Sequence, residues 1–182
     1  MVRRAYAALA LFWLACAGCG EADPTEVVLV ITGDYAVPSE LDRLVVQIRG
    51  PEGAVQTVTD TLEAGDAFPR TLGVHNPSGP LGPFKVQVNA FRGATPLVGA
   101  LAIFDFEEDQ SLEVDLELLR ACEAVTCLCG EVTCSTCGAG GACKNAIVDP
   151  RPYDGVGEGR RARVVLPPVD VDAIDAGPID RR

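Results

Sequence analysis

Between residues 26 and 119 apolar side chains recur at every second position, and clusters of Gly, Pro, Asn and Asp interrupt them. A period of two is the pattern of a strand with one face turned to a core. "EVVLVIT" at 26–32 is a β-branched run that ends at Gly33-Asp34. In "RLVVQIR" at 43–49, Leu44, Val46 and Ile48 alternate with polar partners, and "GPEG" follows as a turn. "AVQTVTD" at 54–60 and "FPRTLGV" at 68–74 are shorter on apolar residues, and Pro69 marks the latter as an edge strand. "PFKVQVNAF" at 83–91 and "SLEVDLELL" at 111–119 alternate cleanly, and "PLVGALAIFDF" at 96–106 is more continuously apolar. No comparable stretch carries the helical period.

Short strands at a spacing of about 12–14 residues, punctuated by turns, are the mark of an all-β sandwich or barrel. The expectation is therefore a seven-stranded immunoglobulin-like or fibronectin-like β-sandwich over 26–119. Glu113, Asp115 and Glu117 would then face solvent as an acidic stripe. The core tryptophan of antibody-type domains is missing, because the one tryptophan is Trp13, ahead of the sandwich. Strand order stays open at this level, and a transthyretin-like arrangement gives the same pattern.

The N-terminus reads as an export signal. Arg3 and Arg4 precede an apolar run over 5–17, too short to span a bilayer and suited to a signal peptide. "CAGC" at 16–19 resembles the lipobox of bacterial lipoproteins, in which small residues precede a cysteine that is lipidated and becomes the mature N-terminus. Ala17 and Gly18 fit that pattern, and Cys16 stands where an aliphatic residue is usual. The alternative frame, with Cys16 lipidated, puts bulky Trp13 at that place and fits worse. Cys19 is thus the expected lipidation site, 1–18 the signal peptide and 19–25 a tether. The lipid anchor makes the membrane a partner without a spanning helix. With Gly20 and Glu21 after the cysteine, similarity to enteric lipoproteins implies export to the outer membrane of a bacterial cell envelope.

Export changes the meaning of the cysteines. "RACEAVTCLCGEVTCSTCGAGGACKN" packs Cys122, Cys127, Cys129, Cys134, Cys137 and Cys143 into the module expected at 120–144. So short a segment buries no useful core, and in an exported chain six cysteines read as three disulfides. A direct Cys127–Cys129 bond would close a strained ring. The remaining connectivities stay open, and a Cys122–Cys143 pair would staple the module to the last strand. Cys127, Cys129, Cys134 and Cys137 could instead form a zinc site, although zinc knuckles are usually separated by a longer loop. "CSTC" leads into glycines and not into the helix of a thioredoxin-type motif.

Few other residues carry chemistry. The single histidine, His75, stands beside Asn76 and Pro77 and reads as a solvated loop residue. "DFEEDQ" at 105–110 reads as a solvated hairpin end before it reads as a weak calcium site. "DVDAID" in the tail lacks the spacing and glycine of an EF-hand loop. "GVGEG" at 155–159 has neither the strand nor the lysine of a phosphate loop. The net charge of −11 gives no basic patch for nucleic acid. From 145 to 182 the chain is rich in Pro, Asp and Gly and reads as a disordered tail, with the briefly apolar "RARVVLPPVDV" the one place where it could add a strand.

Taken together, "AVPSELDRLVVQIRGPEG", "LGPFKVQVNAFRG" and "LLRACEAVTC" resemble a group of envelope lipoproteins from myxobacteria and related bacteria. In that group an acidic sandwich is followed directly by a cysteine segment, and no catalytic residue is assigned. The resemblance implies a lipid-anchored envelope protein and carries over no catalytic residue. By analogy of fold alone, the expected role is non-enzymatic, binding or structural, with no cofactor and with a protein or glycan of the envelope as partner, and a zinc-binding module is the alternative.

Overall fold

The computed structural model describes residues 24–129, 133–155 and 161–165, the last group by its backbone alone. The signal peptide at 1–18 and the lipidation sites Cys19 and Cys16 lie outside the described residues. Each of the seven alternating stretches forms a strand: β1 (Glu26–Gly33), β2 (Arg43–Arg49), β3 (Val55–Thr61), β4 (Arg70–His75), β5 (Phe84–Arg92), β6 (Thr95–Phe104) and β7 (Ser111–Leu118). Four short strands follow: β8 (Ser135–Cys137), β9 (Cys143–Asn145), β10 (Arg151–Pro152) and β11 (Arg161–Val165).

Alternation decides which side chains meet. Val27, Leu29 and Ile31 of β1, Leu72 and Val74 of β4 and Leu112, Val114 and Leu116 of β7 fill one face of the first sheet. They share a single hydrophobic cluster with Leu44, Val46 and Ile48 of β2, Val86 and Val88 of β5, and Ala100 and Ala102 of β6. Each valine, leucine or isoleucine among them, once fully buried, contributes roughly 1.5–3 kcal/mol. Phe106, on the loop after β6, closes one end of this core with its ring centroid 4.8 Å from that of Phe84.

The order of the strands is not immunoglobulin-like. In that arrangement the first strand shares its sheet with the second, fourth and fifth. Here the sheets run β10-β7-β1-β4-β11 and β3-β2-β5-β6, with β8-β9 as a small third sheet. β1 lies between β7 and β4, and its pairing with β7 is parallel from Glu26–Ser111 to Gly33–Leu118. The reason lies in the crossing connections. The chain leaves β1 for the opposite sheet through a segment that buries Tyr35 and Leu41, and it returns after β3 through buried Leu62.

Of the stretch expected as a tail, 156–160 and 166–182 lie outside the described residues, and the described part carries two short strands. Ala146 is fully buried, its carbonyl accepts the Ile103 N–H at 2.8 Å, and the Val148 N–H donates to Ile103 O at 2.9 Å. β10 then pairs with β7, and β11 with β4 in parallel. Without these segments β6, β7 and β4 would each present a row of unpaired backbone groups at a sheet edge, and the tail satisfies them. Low apolar content did not forbid order, because backbone hydrogen bonds and a few contacts hold the segment to a preformed core.

Candidate functional site

The six cysteines come together on the β6 edge of the four-stranded sheet. The chain leaves β7, makes a 3-10 turn over Arg120–Cys122, and builds the β8-β9 hairpin against β6. Buried Thr136 accepts the Leu101 N–H through Oγ1 at 3.0 Å, which fixes the hairpin to the strand. Gly141 adopts φ +77°, and a Cβ there would sit 2.7 Å from Ala121 O, so only glycine lets the second 3-10 turn pass the first.

Three bridges tie this module. Cys122–Cys137 and Cys127–Cys143 span 15 and 16 residues, with Cα–Cα distances of 5.8 and 5.7 Å. Cys129–Cys134 spans five residues. Cys127 and Cys129 are not bonded to each other, as ring strain requires. The Cys122–Cys143 staple does not form, and Cys137 takes that place because the hairpin carries it onto the core. Cys122 and Cys137 belong to the same hydrophobic cluster as the sandwich. Among the described residues no group of three or more His, Cys, Asp or Glu is arranged to hold a metal ion.

Lys85, at the start of β5, reaches up to this module. Its Nζ lies 3.3 Å from Cys129 Sγ and 3.8 Å from Cys134 Sγ. Beside it a cleft of about 290 Å³ opens between Gln87 and Leu101 on the sheet and Thr126 and Ser135 on the module. A smaller apolar recess of about 60 Å³, between Ile48, Pro51, Pro80 and Phe84, gathers no titratable cluster.

A polar clasp joins the base of the module to the sandwich. The Arg120 guanidinium pairs with Glu40, donates to Asp34 O at 3.1 Å and stacks over Tyr35, whose hydroxyl donates to Glu123 Oε1 at 3.1 Å. The Arg120 hydrogen bond, with a second from the Ala36 N–H, holds the Glu40 carboxyl below the ordinary carboxylate range. Burial first, then the hydrogen bond to Glu123 and its charge, push the Tyr35 phenol above its usual range. Because the pKa of Glu40 is lower in the folded state, its contribution is complete above the unfolded carboxylate range and is lost as pH falls through the folded value. Replacing Glu40 with Gln is therefore expected to lower the melting temperature slightly at pH 7, the effect shrinking as pH falls below the ordinary carboxylate range. Paired thermal melts across that range check it.

A search against family models, curated proteins and solved structures finds no match to this chain. No family is shown for it.

Two polar readings need correction. Glu113 is not a member of a solvated stripe: it is 4 % exposed and pairs with Arg151 of β10, which also holds Asp115, while Glu117 pairs with Lys144 at 2.9 Å. His75 is not a loose loop residue, since it ends β4 opposite Glu26 and its Nε2 lies 2.9 Å from the nearly buried Glu26 carboxylate. "DFEEDQ" remains a loop, with Asp109 at φ +55° and its N–H donated to Thr25 Oγ1 at 3.0 Å. Lys85, Tyr35 and Arg120 were missed as members of the site. Their one trace in the sequence is that Lys85 is one of only two lysines.

Proposed function

We propose that this chain is a lipid-anchored, non-enzymatic protein of a bacterial envelope, held at Cys19 and akin to the myxobacterial lipoproteins that its motifs resemble. Its role is binding or structural at the outer membrane, with an envelope protein or glycan as the partner class. The observation that supports this most is the placing of all six module cysteines in three bridges, because such a framework belongs to an oxidising compartment. The lipobox at 16–19 agrees with it from the opposite end of the chain. The strand order β7-β1-β4 over β3-β2-β5-β6 fits the transthyretin-like alternative better than an immunoglobulin-like one. In the zinc-binding alternative, Cys127, Cys129, Cys134 and Cys137 would have to leave three different bridges before binding a metal.

The test is the intact mass of the full-length protein expressed in a bacterial host and extracted from membranes without reductant. The expected product begins at Cys19, carries acyl mass, and gains about six hydrogens on reduction. A soluble product without acyl mass overturns the anchor. Free thiols with the added mass of one zinc favour the alternative.

A further inference from the structure

Both lysines of the chain stand at the cysteine module, yet they are used differently. Lys144 is paired with Glu117 at 2.9 Å. Lys85 has no carboxylate within ion-pair distance among the described residues, and its ammonium is directed at the two sulfurs of Cys129–Cys134. A neutral disulfide gains little from a cation. The species that gains is the thiolate formed when the bridge opens, since a nearby positive charge lowers a thiol pKa and makes the sulfur a better leaving group.

Other differences among the bridges point the same way. Cys122 and Cys137 are 4 % and 6 % exposed and lie within the core, out of reach of an attacking thiol. Cys127–Cys143 closes a 16-residue span, and Lys144, next to it in sequence, is committed to Glu117. Cys129–Cys134 closes only five residues, so the fold loses the least stability when this bridge opens. Cys129 is exposed at the cleft beside Lys85, whereas Cys134 is 9 % exposed beneath it.

We propose that Cys129–Cys134 is an exchangeable disulfide, primed by Lys85, that accepts two electrons from a dithiol while the other two bridges stay closed. One thiolate of the dithiol attacks exposed Cys129 Sγ. The Cys129–Cys134 bond breaks, and its electron pair leaves with Cys134 as a thiolate beside the ammonium. The second thiolate of the dithiol then attacks its own sulfur in the mixed disulfide, which closes the dithiol into a cyclic disulfide and releases Cys129 as a thiolate. The dithiol loses two electrons and the protein gains two, and the two protons pass to solvent or to the new cysteine thiolates.

The experiment treats the full chain with limiting dithiothreitol, quenches with N-ethylmaleimide and maps the alkylated peptides. Cys129 and Cys134 are expected to be labelled first. Lys85→Met is expected to slow their opening about five-fold at pH 7, with Lys85→Arg close to wild type. The opening of Cys127–Cys143 should be the same in all three proteins. In the reduced state, the pH dependence of Cys134 alkylation should shift upward in Lys85→Met, which a purely structural lysine would not produce. Simultaneous opening of all three bridges, prior opening of Cys127–Cys143, or an unchanged rate in Lys85→Met would overturn the proposal. The order of opening in the wild-type protein decides the matter even if a variant fails to fold.

Discussion

Replacing Cys122 and Cys137 together by alanine is expected to lower the unfolding free energy by about 3 kcal/mol, the chain-entropy value of a loop of this length. For a chain of this size that is a fall of roughly 10 °C in melting temperature. The effect should spread beyond the module. Both sulfurs are buried in the cluster that holds the sandwich together, so their loss also leaves a void between β6 and the first 3-10 turn. The hairpin would be less firmly held over Leu101, whose N–H is donated to Thr136. Amide exchange at Leu101 should therefore accelerate, while Val28 and Leu29 in the centre of the first sheet follow global stability alone. Denaturant unfolding of oxidised wild type and double variant checks the first part. An unchanged midpoint, with unchanged exchange at Leu101, would mean that the module rides on the sheet without supporting it.

The strands were legible because alternation is local. Leu44, Val46 and Ile48 announce a buried face whatever strand lies beside them, and all seven alternating stretches became strands. Their order was not legible for the same reason. Nothing in "EVVLVIT" distinguishes a neighbour 85 residues away, at Ser111, from one at Arg43. Through-space pairing also hid Lys85, which looks like any polar partner in an alternating strand until the module folds over it. His75 was misread because Asn76 and Pro77 signal a turn, whereas the β1–β4 ladder reaches one position closer to that turn than the apolar pattern does. For the cysteines, ring geometry removed one pairing, and compartment chemistry pointed to bridges. Which sulfurs meet depends on where the β8-β9 hairpin lands.

Ending the chain after Asn145 is expected to destabilise it by about 3–5 kcal/mol, where an unstructured tail would be removed at no cost. Besides the β10–β7 and β11–β4 pairings, four backbone hydrogen bonds outside the ladders would go: Ile103 N–H to Ala146 O, Ala146 N–H to Cys134 O, Val148 N–H to Ile103 O, and Tyr153 N–H to Ser111 O. At a net value of roughly 1 kcal/mol each, these alone approach the expected figure. The truncation also takes Arg151 from Glu113, a carboxylate only 4 % exposed, and a buried charge that loses its partner is more costly than the pair was favourable. Two point variants separate these contributions. Ala146→Asp places a charge at a site with no exposure and should act mainly through the β6 edge. Arg151→Ala should act through Glu113, so adding Glu113→Gln to it should recover much of the loss. If the truncated chain melts with the full-length protein, the edges of β6 and β7 need no cover and the tail is dispensable. If it melts lower and Glu113→Gln restores only the Arg151→Ala part, the remainder belongs to backbone pairing on the open edges.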